Sequence, residues 1–126
     1  MDADLRRRRL TASQFNTLLV LRAAGPDGLR MGEIGERLVV TKSNVTGLVD
    51  RLERDGLVRR GAHADRRATV VRLTKAGAGL LDRTIPSHVE LISELTDCLT
   101  TAEKKQLVRL LSKLRRELRR RRKEER

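Results

Sequence analysis

Lys42, Ser43 and Asn44 form the polar cluster whose residue types and spacing most clearly indicate a binding site. They follow Thr41, a residue type that favours the position just before a helix. The free N–H groups in the first turn of a helix attract phosphate, and short polar side chains there reach phosphate oxygens or base edges. The cluster therefore predicts contacts with a nucleic acid from the start of a helix.

The residues after this cluster continue the helix, from about 41 to 55, with two different faces. Apolar residues at i, i+3, i+4 and i+7 predict a buried face, which consists of Val45, Leu48, Val49 and Leu52. The outer face carries small and basic residues that could enter a major groove about 12 Å wide. This face consists of Ser43, Thr46, Gly47, Asp50, Arg51 and Arg54. Because Asp50 stands four residues before Arg54, we expect its carboxylate to orient that arginine.

A basic hairpin is predicted after this helix. Strand-forming residues at 57–60 and 69–73 flank a polar loop of about seven residues. The loop places Arg66 and Arg67 beside Asp65. An arginine at a loop tip can enter a narrow minor groove, where the negative potential of DNA is enhanced.

The composition favours duplex DNA as the partner. Lys and Arg outnumber Asp and Glu by 29 to 17, and the net charge of +12 indicates a polyanionic partner. Phe15 is the only aromatic residue, whereas proteins that bind single strands stack bases on aromatic rings. The apolar runs are far shorter than the roughly 20 residues of a membrane span, and a lone cysteine fits a reducing compartment. We therefore expect a cytoplasmic protein that binds double-stranded DNA and no membrane.

The remaining reactive residues do not indicate catalysis. His63 and His88 have no nucleophile or metal ligand at a suitable spacing, so we expect no enzyme activity, no metal and no cofactor. His88 falls near the apolar stripe of a predicted helix, which suits a packed or interfacial histidine or, alternatively, a contact with a ligand. Cys98 is expected to be an inert thiol, with a redox sensor as the alternative.

Local signals before the binding segment predict two helices and a turn. Thr11 and Gln14 form a capping box for a helix at about 11–24. A breaker cluster then precedes a short helix that ends near Leu38. Val39 occupies the turn position where glycine is often found. Since a β-branched residue is strained at positive φ, we expect this turn to follow a different backbone path.

The C-terminal part of the chain predicts two long helices. Thr74 is the expected cap of a helix that Pro86 should kink, and Thr100 with Glu103 forms a capping box for a last, leucine-rich helix. Apolar helices on a small domain need a partner surface, which predicts a homodimer. Residues 115–126 hold eight Lys/Arg and three acids, which suits a solvated helix end or an extra phosphate-binding arm.

The order of these elements predicts a mainly α fold with a small two-stranded β-wing. The fold is that of a winged helix-turn-helix followed by C-terminal dimerisation helices. Four segments are expected along the chain. They are a short N-terminal extension at 1–10, a DNA-binding domain at 11–74, linker and dimerisation helices at 75–118, and a basic tail at 119–126.

Two segments, SNVTGLVDRLERDGLVRR and ADRRATVVRLTKAGAGLL, resemble the recognition helix, wing and linker helix of MarR-type transcriptional regulators. The most specific shared feature is an aspartate, any residue and an arginine, followed by a Leu-Thr pair. These residues are Asp65, Arg67, Leu73 and Thr74. The resemblance implies that Arg67 enters the minor groove and that Asp65 holds the wing. It also implies groove contacts from Lys42, Ser43, Asn44, Thr46 and Arg51.

The resemblance further implies a homodimer that binds a roughly palindromic operator and regulates transcription. A small lipophilic ligand or an oxidant is the implied effector. Two other hypotheses remain open. One is a sequence-nonspecific, architectural or RNA-associated basic protein anchored mainly by its tail. The other is a ligand-sequestering or protein-interaction dimer that does not bind DNA.

Overall fold

A computed structural model describes residues 10–62 and 68–125 of the chain. Five helices and three short strands lie within these ranges. In chain order they are α1 (Ala12–Ala24), β1 (Leu29–Arg30), α2 (Met31–Leu38), α3 (Lys42–Arg54), β2 (Val58–Ala62), β3 (Thr69–Leu73), α4 (Lys75–Leu95) and α5 (Thr101–Glu124). The chain divides into two compact units between Ser87 and His88, so that α4 contributes to both.

The sheet has three antiparallel strands in the order β1-β3-β2, not the two strands that the sequence predicted. Leu29 of β1 pairs with Val71 of β3, a partner far along the chain. A strand of two residues is too short to show an alternating pattern, which is why it was not predicted. β2 is also longer than expected: Gly61 and Ala62, which were assigned to the loop, pair with β3.

The hydrophobic core of the first unit fixes one face of α3. Val45, Val49 and Leu52 are completely buried, as the apolar spacing predicted. They belong to a core cluster that includes residues of α1, α2, the sheet and the first half of α4. Leu10, which was expected in a charged N-terminal extension, is also buried in this cluster. Because rotation of α3 about its axis would expose three of its core residues, the core determines which side chains face outward.

The start of α4 is tied to the end of α3. The Thr74 hydroxyl donates to the Gly56 carbonyl at 2.7 Å and accepts from the Gly77 N–H at 3.1 Å, so Thr74 caps α4 as predicted. The backbone of Gly77 lies so close to Leu57 that an added Cβ would stand 2.1 Å from the Leu57 carbonyl oxygen. α4 continues through Pro86 without a break, and the predicted kink stays a prediction.

The second unit consists of the end of α4 and the long helix α5. The capping box predicted for α5 is confirmed, because Thr100 and Glu103 exchange backbone-to-side-chain hydrogen bonds at 2.9 and 3.1 Å. None of the described residues of α5 is buried, although the helix carries five leucines. Within the described part of the chain, the helices are too short or too polar to span a membrane.

The turn between α2 and α3 contradicts one expectation. Val39 adopts the left-handed conformation, with φ of 56° and ψ of 49°, although we expected the turn to avoid it. The N–H groups of Val39 and Val40 both point to the Gly35 carbonyl and close the end of α2. Leu38 and Val40 pack against the core on either side. Partial burial of these two neighbours and the closed helix end together hold Val39 in a conformation that a β-branched residue disfavours.

We expect Val39→Gly and Val39→Asn to stabilise the protein. Both residue types accept the left-handed conformation, and relief of the strain should raise the free energy of unfolding by up to about 1 kcal/mol. Urea denaturation followed by circular dichroism measures this change.

The matched control is Val108→Gly, at an exposed position in the regular helix α5, where glycine should lower stability. A loss of stability in Val39→Gly comparable to that in the control would show that Val39 is not strained.

Candidate nucleic-acid interface

The outer face of α3 gathers most of the residues that the sequence proposed for DNA binding. Lys42, Ser43 and Asn44 are exposed in the first turn, and Arg51 and Arg54 are exposed toward the other end. Thr46 is exposed between them and donates its hydroxyl hydrogen to the Lys42 carbonyl at 3.1 Å, which leaves its oxygen lone pairs outward. The structure thus brings these six residues onto one helix, whose opposite face is buried.

The helix N-terminus is built as the sequence predicted. The Thr41 hydroxyl accepts from the Asn44 N–H at 3.4 Å and lies 3.3 Å from the Ser43 hydroxyl. The cap occupies one backbone donor of the first turn and leaves the other early N–H groups directed along the helix axis. Such an arrangement favours an anionic oxygen at this end of α3.

A shallow depression of about 290 Å³ adjoins this face. Its lining consists of Ser13, Val40, Ser43, Asn44, Gly47, Leu48 and Arg51. Leu48 is therefore only half-buried, although its spacing predicted a core position. Gly47 has open space on its side-chain side, with no atom within 4 Å of a Cβ built there. The depression leaves room for an atom group of a base or sugar to approach the α3 backbone.

Ser13 is a candidate site residue that sequence reasoning missed. It lies in the first turn of α1, beside the cap residue Thr11, and only the packing of α1 brings it to the depression. The sequence carried a weak signal, since a serine in the first turn of a helix has the same anion-binding potential as Ser43.

Asp50 orients an arginine, but not the one expected. The carboxylates of Asp50 and Glu53, one turn apart on α3, both bind the guanidinium of Arg60 on β2. Glu53 accepts from Arg60 Nη1 at 2.7 Å and from the Arg60 backbone N–H at 2.9 Å. The prediction that Asp50 pairs with Arg54 is wrong because the chain turns back after Gly56 and places β2 alongside the C-terminal half of α3. We call Asp50, Glu53 and Arg60 the wing clamp.

Glu53 and Arg60 of the wing clamp stay ionised at neutral pH. Hydrogen bonds from the Arg60 backbone N–H and side chain lower the pKa of the Glu53 carboxyl. The hydrogen bond to Asp50 raises the pKa of the Arg60 guanidinium. Because the pKa of Glu53 is depressed, its hydrogen bonds with Arg60 are fully present at any pH above the ordinary pKa of a glutamate. They are lost only as the pH falls through the lowered pKa of Glu53. The clamp therefore joins the candidate recognition helix to the first strand of the wing throughout the neutral range.

The tip of the wing lies outside the described residues. This applies to His63, Asp65, Arg66 and Arg67, so the roles that we predicted for them stay predictions. The strands that carry the tip are described up to the pair of Ala62 and Thr69.

The other predicted candidates stand apart from this face along the chain. His88 is half-buried in the second unit, and Cys98 is an exposed free thiol. A ligand or interface role for His88 stays a prediction. Among the residues that the structure describes, no cluster of three or more His, Cys, Asp or Glu could hold a metal ion.

Comparisons with known proteins agree with this geometry. Residues 10–68 match the sequence model of the MarR family. The transcriptional repressor YetL of Bacillus subtilis is 35% identical over 108 residues, which span 85% of this chain and 65% of the repressor. A DNA complex of MepR from S. aureus superimposes with a TM-score of 0.80 at 29% identity, covering 93% of this chain and 84% of MepR.

A mutant of MarR from E. coli, solved with operator DNA, has a TM-score of 0.78 and is 30% identical. The match covers 90% of this chain and 81% of that protein. These similarities extend over both units, and they confirm the mainly α winged-helix fold and the resemblance read from the recognition helix and wing. The chain belongs to the MarR family of winged helix-turn-helix transcriptional regulators.

Proposed function

We propose that this protein regulates transcription by binding a pseudo-palindromic operator in double-stranded DNA as a homodimer. One observation carries the proposal: α3 has a buried apolar face and an outer face of exposed small, polar and basic residues. A helix held in this way can enter a major groove without moving its core residues. The two structural relatives described above, MepR and the MarR mutant, were solved with DNA, which supports the same partner for this chain.

Each part of the interface has a distinct task in this proposal. Lys42, Ser43 and Asn44 bind phosphates at the N-terminus of α3 and fix its register. Thr46 and Arg51 face the base edges, where a guanidinium can donate two hydrogen bonds to guanine. Arg54 contacts the phosphate backbone of the DNA. Arg67 enters the minor groove with Arg66 beside it, and Asp65 holds the wing tip in position.

A homodimer would cover the apolar surface of the second unit. Ile92 and Leu95 of α4 are 39% and 63% exposed, and the leucines of α5 are 42% to 56% exposed. Contiguous exposed apolar surface of this kind marks an interaction site. Two-fold symmetry would then place two copies of α3 in successive major grooves, about 34 Å apart.

Regulation by a small ligand fits the same arrangement. A ligand that changes the separation of the two α3 helices would change operator affinity, because the half-site spacing is fixed by the DNA. We propose His88 as the candidate contact. We also propose a cytoplasmic location, which the expected DNA partner supports.

The operator hypothesis is tested by selecting bound sequences from a random pool of duplex DNA with the full chain. We expect a palindrome whose half-sites are centred one helical turn apart, about 10 base pairs. Arg67→Ala should weaken binding to the selected site, and deletion of 119–126 should preserve the preference for that site over random DNA.

The alternative is a sequence-nonspecific architectural protein anchored by its basic C-terminus. It predicts that no selected sequence outcompetes random DNA and that deletion of 119–126 removes most binding. The two results together would refute the operator hypothesis, and a lack of any affinity at low salt would indicate a dimer that does not bind DNA.

Gly47→Leu should separate stability from DNA binding. The added side chain meets open space, so the better helix propensity should raise the free energy of unfolding by about 0.5–1 kcal/mol. The same side chain would fill the depression and obstruct the approach of α3 to base edges, so operator affinity should fall at least about tenfold. Thermal unfolding and a gel-shift titration measure the two effects.

The control is Gly79→Leu, in α4 and outside the candidate interface, where the nearest atom to an added Cβ is the flexible Arg83 guanidinium at 3.4 Å. If Gly47→Leu binds the operator as tightly as this control does, α3 does not enter the groove by its Gly47 side.

Glu53→Gln tests whether the wing clamp positions the wing for DNA. Removal of a negative charge near DNA should strengthen binding if only electrostatics matter. Loss of one of the two ionised acceptors of Arg60 should instead weaken operator binding, by about fivefold, because the wing is held less firmly against α3. Fluorescence anisotropy with the selected operator measures the sign of the change.

Asp55→Asn is the matched control, since it removes the same charge from an exposed residue at the end of α3. If both variants bind the operator as tightly as the unaltered chain or more tightly, the clamp does not position the wing.

A further inference from the structure

The last part of α5 sorts its charged residues by face. At roughly 100° per residue, five cations between residues 115 and 123 fall within an arc of about 120°. They are Arg115, Arg116, Arg119, Arg122 and Lys123, and each is exposed or half-exposed. Along the described length of α5, no Asp or Glu projects from this arc between residues 115 and 124. We call these five residues the cationic stripe.

The carboxylates of the same segment, Glu117 and Glu124, lie on the opposite side of α5 and bind Arg120 and Arg121. Glu117 accepts from Arg120 Nη2 at 2.7 Å and from Arg121 Nε at 2.9 Å, and Glu124 binds Arg120 as well. The two arginine side chains lower the pKa of the Glu117 carboxyl to about 2, so it stays charged at physiological pH. These four residues form a paired face without net charge. The formal net charge of +5 between residues 115 and 124 is therefore carried by the five residues of the cationic stripe.

A third face of α5 is apolar. Leu107, Leu111, Leu114 and Leu118 are spaced by four, three and four residues, the pattern that keeps side chains on one narrow seam of a helix. They fall within an arc of about 60°, centred about 110° from the cationic stripe. In the proposed dimer this seam meets the second copy. Its burial would leave the cationic stripe accessible.

We propose that the cationic stripe binds the phosphate backbone of double-stranded DNA without sequence preference, as a second DNA contact of the regulator. This inference rests on the proposed function. The stripe extends over eight residue steps, or about 12 Å of helix, and a strand of B-DNA presents three or four phosphates over that distance. Guanidinium groups suit this partner because they donate paired hydrogen bonds to phosphate oxygens.

The side chains around the stripe favour DNA over other polyanions. A helix that lies on a membrane buries an apolar face, whereas Leu118 is the last apolar residue and residues 119–124 are all charged. Recognition of single-stranded RNA relies on aromatic stacking, and Phe15 is the only aromatic residue of the chain. A sequence-independent contact would increase the residence of the protein on DNA while α3 samples sites.

Two double variants of the full chain, each of which removes two positive charges, test the proposal. Arg116→Gln with Lys123→Gln alters the stripe, and Arg120→Gln with Arg121→Gln alters the paired face. Affinity for a random-sequence duplex is titrated against salt. We expect the stripe variant to reduce the magnitude of the negative slope of log K against log salt by about 1.8, the value for two lost phosphate contacts. The paired-face variant should reduce it by less than half as much. Circular dichroism and light scattering check that both variants keep their helix content and oligomeric state.

Equal slopes for the two variants would overturn the proposal, because net charge alone would then account for the effect. It would also be overturned if the stripe variant kept its affinity for duplex DNA but lost binding to duplex RNA or to phosphatidylserine vesicles. The ratio of affinities for the selected operator and random DNA is measured in parallel and should not change in the stripe variant. A ratio of one in the unaltered chain would refute the proposed function, and the comparison of slopes would still decide the role of the stripe.

Discussion

Burial of one face of α3 is the constraint on which the candidate interface depends. Val45, Val49 and Leu52 have no exposed surface, so rotation of the helix would expose apolar area at a cost of about 1.5–3 kcal/mol for each side chain. The core therefore sets the orientation of side chains that never touch it. Thr46 and Arg51 face outward because the buried residues of α3 must face the core.

The connection from α3 to the wing is equally restrained. After Gly56, the Thr74 hydroxyl binds the Gly56 carbonyl, and the close approach of Gly77 to Leu57 leaves no space for a side chain. Arg60 then fastens β2 to two carboxylates of α3. In the proposed function, α3 and the wing contact two grooves at once, and this rigidity would keep the two sets of contacts in register.

The charge of the chain divides between different tasks. Residues 41–73 hold +4 of the total of +12, and residues 74–126 hold +6. In the first segment, acids and bases lie close together in the wing clamp, where they position the chain. In the second segment, Glu117 and Glu124 lie on one face of α5 and bind Arg120 and Arg121. Net charge alone could not distinguish these arrangements, since both segments are simply basic.

The sequence by itself determined the elements whose signals are local. The capping boxes at Thr11 and Thr100 and the apolar stripe of α3 depend on residues three or four positions apart, and the structure reproduces them. A short helical repeat is sufficient for such contacts. The family resemblance was likewise carried by local sequence, in the recognition helix and the wing.

Only the tertiary structure decided the partner of Asp50, the pairing of β1 and the position of Ser13. Each of these depends on groups that the fold brings together from distant parts of the chain. The conformation of Val39 has the same origin: its intrinsic preference opposes the left-handed region, and the closed end of α2 together with the packing of the partly buried Leu38 and Val40 outweighs it. Local preferences amount to about 1 kcal/mol per residue, whereas each buried side chain of a core contributes about 1.5–3 kcal/mol. Packing therefore prevails where the two conflict.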